Sequence, residues 1–156
     1  MSFAERWALR LMARRKPDLI IGEHQRPYLL RWWVIPRNPI FNIYLHDIRR
    51  SDDDRALHDH PWLNLSILIA GRYIEHTIDA GGIERRVVRR AGSIKFRLAR
   101  DAHRLEVEPG HRAISLFVTG PRWRQWGFHC PRAGWVHWRA FTEGDQGERV
   151  GRGCGE

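Results

Sequence analysis

The spacing of apolar residues changes once along this chain, close to its start. Between residues 3 and 15, Phe3, Trp7 and Leu11 recur with Ala4, Ala8 and Met12 at helical intervals, and arginines fill the gaps. That pattern predicts a short amphipathic helix, closed by Pro17, that packs on the domain beside it. Strand signals take over afterwards. Tyr28–Ile35 (YLLRWWVI) and Ile40–Ile48 (IFNIYLHDI) are rich in aromatic and β-branched residues and bounded by prolines. Ser51–Arg55 (SDDDR) reads as a polar loop. Pro61–Ile69 and Arg72–Ile78 read as strands joined by a tight hairpin at Ala70-Gly71, and Gly81-Gly82 turns the chain into Glu84–Arg90. Further strands are expected at Ser93–Arg97, His103–Val107 and Ala113–Val118. The aromatic, turn-rich stretch from Gly120 to Trp138 reads as a covering segment. Many short strands at even spacing with one helix predict an antiparallel sandwich or barrel.

With 156 residues the chain is long enough for one domain with a real core. Three parts are expected: an N-terminal helix and linker at 1–24, a β-barrel at 25–142, and a flexible glycine-rich tail at 143–156, where the sequence is EGDQGERVGRGCGE. No apolar run approaches the roughly 20 residues of a membrane span, and no secretory signal is recognisable, so a cytoplasmic protein is expected. Two cysteines, Cys130 and Cys154, imply no disulfide framework.

A net charge of +9 raises the question of nucleic acid. The basic residues are almost all arginine, however, and they are spread over the whole length without a nucleic-acid-binding motif. Nucleic acid is therefore disfavoured as a partner, and so is a membrane. A small-molecule substrate is preferred, and a homodimer is compatible with the pattern.

The candidate chemistry starts at HDHPWLNLSILIAGRY, from His58 to Tyr73. Residues two apart in a strand point the same way, so His58 and His60 project from one face and can share a cation. Three residues separate His60 from Asn64, and six more separate Asn64 from Gly71. This spacing resembles the first motif of the cupin superfamily, G-x5-H-x-H-x(3,4)-E-x6-G. The second cupin motif places a histidine eleven residues after its first glycine, and here His103 follows Gly92 at that interval. With GRYIEH, DAHRLE, TGP and WGFH, the chain also resembles an uncharacterised cupin-like group of bacteria and phages.

The resemblance implies an all-β double-stranded β-helix barrel with a divalent transition metal held by His58, His60 and His103. Fe(II) is favoured, with Mn, Ni or Zn as substitutes. Departures from the motifs are specific. Asn64 stands at the place of the ligand glutamate and Asp52 at the first glycine; Leu98, Arg100 and Val107 replace the proline, second glycine and asparagine of the second motif. Three-histidine ferrous sites without that glutamate occur in the thiol dioxygenases of the superfamily.

Two further residues are candidates. If the hairpin turns at Ala70-Gly71, Glu75 lies opposite Ser66 and faces the interior. There it serves as a compensating fourth ligand or, preferably, as a base and orienter behind the ligands. Arg97 is a candidate clamp for a substrate carboxylate, with a solvated strand arginine as the plainer alternative. His46, His76, His111, His129 and His137 are expected behind the ligands, in structural roles or exposed, and Trp62, Trp126 and Phe128 as barrel-lining or covering aromatics.

Three function classes follow. The first is a mononuclear non-haem metalloenzyme of the iron-dependent oxygenase type, such as a dioxygenase. The second is a non-catalytic small-molecule-binding or sensory cupin. The third is a metal-free cupin resembling sugar-nucleotide epimerases.

Overall fold

A computed structural model describes residues 1–52 and 56–155. The chain runs α1 (Phe3–Arg14), β1 (Leu19–Glu23), β2 (Arg26–Trp33), β3 (Asn42–Ile48), β4 (Leu57–His58), β5 (Asn64–Asp79), β6 (Ile83–Arg90) and β7 (Ile94–Arg97). It continues through β8 (Arg104–Glu106), β9 (Ala113–Thr119), β10 (Gly127–Cys130), β11 (Gly134–His137), α2 (Trp138–Phe141), β12 (Thr142–Glu143) and β13 (Arg149–Val150). Of the polar loop expected at 51–55, residues 53–55 lie outside the described residues. The main sheet is ordered β1-β2-β3-β9-β5-β6, with β7 and β8 also pairing with β5, and a smaller sheet is ordered β11-β10-β4. All these pairings are antiparallel.

Alternation along the strands separates two layers. Leu30 and Trp32 of β2, Leu45 of β3, Ile69 of β5 and Ile114 of β9 cluster with Ala8 of α1, and Trp7, Leu11 and Met12 pack against them. The helix therefore covers the outside of the sheet, as its apolar stripe requires. Ser2 and Glu5 close its start with a capping box, and the Trp32 indole donates to the Arg15 carbonyl just past its end. Phe3 is the exception to the expected stripe, since it is exposed. On the opposite face, Leu29, Ile48, Leu68, Tyr73, Leu105, Val107 and Ala113 fill one end of the barrel interior.

No hairpin forms at Ala70-Gly71. β5 is one strand of 16 residues that pairs with β7 and β9 through its first half and with β6 and β8 through its second. What resembled a turn in sequence is a β-bulge: the register with β9 shifts between Leu68 and Ala70. Gly71 has φ +77°, and a β-carbon there would overlap the Arg112 carbonyl oxygen. The bulge inverts the alternation, so Asn64, Ser66 and Leu68 are buried before it and Tyr73 and Glu75 after it. Glu75 consequently points inward, as expected, although the geometry that turns it there is different.

The C-terminal segment, expected to be a flexible tail, is folded back. Thr142↔Val150 and Glu143↔Arg149 pair β12 with β13, and the Glu148 carbonyl accepts from Gly22 N at 2.7 Å. Cys154 is disulfide-bonded to Cys130, a link that the two cysteines in sequence did not imply. The sulfurs meet in a small apolar cluster with Ala56 and Phe141, against which Phe128 and Val136 pack. Low hydrophobicity in the sequence concealed this, because the segment is held by backbone pairing and one covalent link rather than by apolar burial. Cys130 and Cys154 are 24 residues apart. Cross-linking a loop of that size is expected to stabilise the fold by about 3 kcal/mol. Denaturant unfolding with and without reductant should show that loss, as should Cys154→Ser, and equal stability in both states would show that the cross-link contributes nothing.

Candidate metal centre

Two distant segments meet at His58 and His103. Each donates its backbone N–H to the other's carbonyl, at 2.9 and 3.0 Å, and this reciprocal pair fixes their side chains on one face. His60 projects the same way two residues on, and its backbone N–H donates to the Ala99 carbonyl at 2.9 Å. Asp59, between the two histidines, faces the other side and is almost fully buried. Its carboxylate accepts from Gly127 N (2.8 Å) and Trp135 Nε1 (3.1 Å) and pairs with Arg124 Nη1 (2.9 Å). Within the H-D-H triplet, then, the histidines furnish the inner face while the aspartate fastens the β10–β11 cover.

The side chains converge. Candidate ligand nitrogens of His58, His60 and His103 lie within 4.8 Å of one another, the one such group of His, Cys, Asp or Glu among the described residues. His60 Nε2 and His103 Nε2 are 3.0 Å apart. Ring centroids are separated by 5.2 Å (His58–His60), 4.9 Å (His58–His103) and 5.2 Å (His60–His103). Burial disfavours the imidazolium form at all three. It pushes His103 down to about 3, with the Arg97 cation adding to the effect and Glu75 opposing it. His60 is held well below its ordinary value by burial and then by the other two imidazoles, and His58 is lowered by burial against the opposing pull of Asp52. The cluster therefore offers neutral imidazole lone pairs.

Glu75 sits behind the cluster. Its Oε1 lies 3.4 Å from His103 Nδ1, a buried nitrogen with no closer polar partner among the described residues. The same oxygen accepts from Arg97 Nε at 2.8 Å and from Arg97 Nη2, while Oε2 accepts from Arg89 Nε at 2.9 Å. Burial alone would raise this carboxyl. His103 and the Arg97 guanidinium outweigh it and hold Glu75 well below the usual carboxylate range. Arg97 is thereby committed to Glu75, with Nη1 directed at Asn64 Oδ1 at 3.4 Å. Asn64, which stands where the cupin motif has a glutamate, is fully buried and braces this arginine.

A cavity of about 210 Å³ adjoins the histidines, and Trp62, Phe117, Trp126 and Phe128 contribute to its wall. The remaining histidines divide by place. His76 bridges Glu84 (2.9 Å) and Glu106 (2.6 Å) away from this cavity, His129 lies 3.4 Å from Asp59, and His137 contacts Gln125 at 3.1 Å. His46 lines the cavity, as do Arg31 and Asp52, whose carboxylate is 3.9 Å from His58 Nδ1. Sequence reasoning gave Arg31 and Asp52 no role at the site. Period-2 spacing within IFNIYLHDI could have placed His46 on the inner face, but Arg31 is paired with it only through the fold.

No protein-family model matches the chain, and no curated protein is a significant match. Solved structures do match in fold. A crystal structure of Fe(II) HppE superposes with TM-score 0.55 at 15% identity, covering 69% of this chain and 58% of that one; a second, with an alternative substrate, is covered over 56% of its length. A Klebsiella pneumoniae protein described as having a double-stranded β-helix domain gives TM-score 0.51 at 16% identity, over 64% and 83% of the two chains. A putative mannose-6-phosphate isomerase from Ralstonia eutropha gives 0.51 at 16%, over 67% and 92%. The chain thus has the cupin-like double-stranded β-helix fold, with a candidate three-histidine site opening onto its interior cavity. Among the described residues, no helix is long and apolar enough to cross a membrane.

Proposed function

We propose that the protein is a mononuclear non-haem metalloenzyme. In this reading His58, His60 and His103 hold one divalent transition metal, Fe(II) before Mn, Ni or Zn, next to a small-molecule cavity. The observation that carries it is the convergence of three imidazoles, from two segments locked by a reciprocal backbone pair, at the edge of a largely apolar cavity. The donor set fits the group, since imidazole suits each of these metals and the lone pairs are not blocked by protons. A bound metal would supply a Lewis-acidic centre with open positions for substrate and dioxygen.

The chain's own residues would do the rest. Glu75 would hold the proton of His103 at Nδ1 and leave Nε2 free as a donor. Arg97 and Arg89 would keep Glu75 ionised for that purpose. Trp62, Phe117 and Phe128 would exclude bulk water from the reacting end. Support for iron as first choice comes from the likeness of fold to Fe(II) HppE. The metal-free epimerase-like alternative calls for a basic, polar pocket for a nucleotide diphosphate, and the apolar wall does not favour it.

Elemental analysis of protein purified without an affinity tag should find one metal per chain. His103→Ala should lose most of it, with affinity falling about 100-fold or more. Full metal content in that variant would remove the triad. Dioxygen uptake with small organic acids, thiols and keto acids should then separate an oxygenase from a sensory module, which would hold metal and ligand without turnover.

A further inference from the structure

We propose that Arg31 anchors the carboxylate of a small, largely apolar monoacid whose far end reaches the histidine cluster. This rests on the metalloenzyme reading above and gives its substrate a chemical class. Arg31 lies on β2 on the same face as Leu29, opposite His46 of β3, and lines the cavity shared with His58, His60 and His103. Its Nε donates to His46 Nε2 at 2.9 Å, and its guanidinium carbon stands 4.8 Å from the centroid of the Tyr44 ring. Those contacts fix the plane of the group. Among the described residues, neither Nη atom has an acceptor and no carboxylate forms an ion pair with Arg31.

That isolation contrasts with the surroundings. Arg97 and Arg89 are matched by Glu75, Arg49 and Arg112 by Asp47, and Arg124 by Asp59. A partly buried cation on the wall of a largely apolar cavity, with no ion-pair partner among the described residues, is costly unless a ligand supplies one. Burial, and then the neighbouring Arg31 cation, hold His46 well below its ordinary value. A neutral His46 accepts from Nε and leaves the Nη pair directed elsewhere.

The chemistry of the ligand follows. A planar guanidinium fork matches a carboxylate through two parallel hydrogen bonds. One cation matches one negative charge, so a phosphate or phosphonate dianion would bring in an uncompensated charge. Leu19, Ile21, Leu29 and Phe117 also line the cavity and favour an apolar body. Its volume of about 210 Å³ exceeds the roughly 150 Å³ that holds benzene, which leaves room for a ring and a short acid arm. Ring contacts lead from this anchor to the candidate metal site: His46 lies 5.1 Å from Phe117, and Phe117 lies 5.8 Å from His60.

Calorimetric titration of the metal-free protein with phenylacetate, phenylacetamide and benzylphosphonate tests this. Phenylacetate should bind about ten-fold or more tighter than its amide, and tighter than the phosphonate. Arg31→Gln should remove the preference for the acid while leaving amide binding and metal content unchanged, and Arg31→Lys should keep only part of it. Equal affinity for acid and amide, tighter binding of the phosphonate, no binding of the acid, or full acid affinity in Arg31→Gln would each overturn the inference. Should Arg31→Gln fail to fold, the wild-type acid-to-amide ratio and Arg31→Lys decide. Selective acid binding by a wild type that takes up no metal would sustain the anchor and remove the metalloenzyme reading. Metal uptake without acid preference would do the reverse.

Discussion

Glu75→Gln is expected to destabilise the protein by about 3 kcal/mol and to weaken metal binding by about 10- to 100-fold. Removing a charge from a buried ion pair leaves its partner uncompensated, and here the partner is Arg97, itself only 2% exposed. Glutamine preserves volume, so a cavity term does not obscure the result. It cannot balance Arg97 and Arg89 together, nor attract the proton on His103 Nδ1 as a carboxylate does. Denaturant unfolding of metal-free protein reads the first effect, and metal titration across a pH series reads the second. The positioning role separates from a purely structural one through the titration. Without the carboxylate, His103 loses the interaction that opposes its depressed pKa and selects its tautomer, so the pH dependence of metal uptake should change as well as its strength. If stability fell while metal affinity and its pH profile stayed at wild-type values, Glu75 would be a structural ion-pair residue and no part of the site.

How far the sequence carried depended on whether a feature was local. His58 and His60 were legible because a period of two is a property of any strand, and His103 because it keeps a motif interval from Gly92. α1 was legible from its stripe, apart from Phe3. The Ala70-Gly71 pair was misread because a glycine with positive φ is demanded equally by a tight turn and by a bulge in a continuous strand. Only pairing with β9 decides between them. Either geometry inverts the alternation, and for that reason Glu75 was placed inward despite the wrong connection. For Arg97 the sequence offers a solvated strand arginine or, less favoured, a substrate clamp, because its charge is visible and its partner is not; Glu75 is 22 residues away in sequence. Arg31 escaped notice for the converse reason. Within YLLRWWVI it reads as the polar residue of a strand, and nothing local shows that its face is the inner one. The disulfide was hidden by the glycine-rich sequence around Cys154, which has no apolar periodicity to announce that it returns to β10.

Acidification of the metal-free protein from pH 7.5 to 5 is expected to cost about 2 kcal/mol of stability through His103 alone, a sizeable share of the total for a domain of this size. The cause is the set of cavity imidazoles. Burial lowers His46, His58, His60 and His103, and His103 is pushed down to about 3. A histidine whose folded pKa is depressed stays neutral in the native state and takes a proton once unfolded. Below its unfolded value of about 6.5 the unfolded chain therefore binds more protons, and stability falls as pH falls. The contribution is fully present above about 6.5 and is lost progressively down towards 3. His103 alone accounts for about 2 kcal/mol by pH 5, and His46 and His60, both held well below their ordinary values, add to it. Glu75 acts in the same direction at lower pH, because its stabilising charge is lost only as pH falls below the ordinary carboxylate range. Denaturant unfolding at pH 7.5, 6 and 5 would measure the slope, and the C2–H resonance of His103 should stay unshifted over the same range in the folded protein. Constant stability between pH 7.5 and 5, or ring resonances that titrate near 6.5 in the native state, would mean that the cavity is wet enough to admit imidazolium and that the cluster is not held ready as neutral donors.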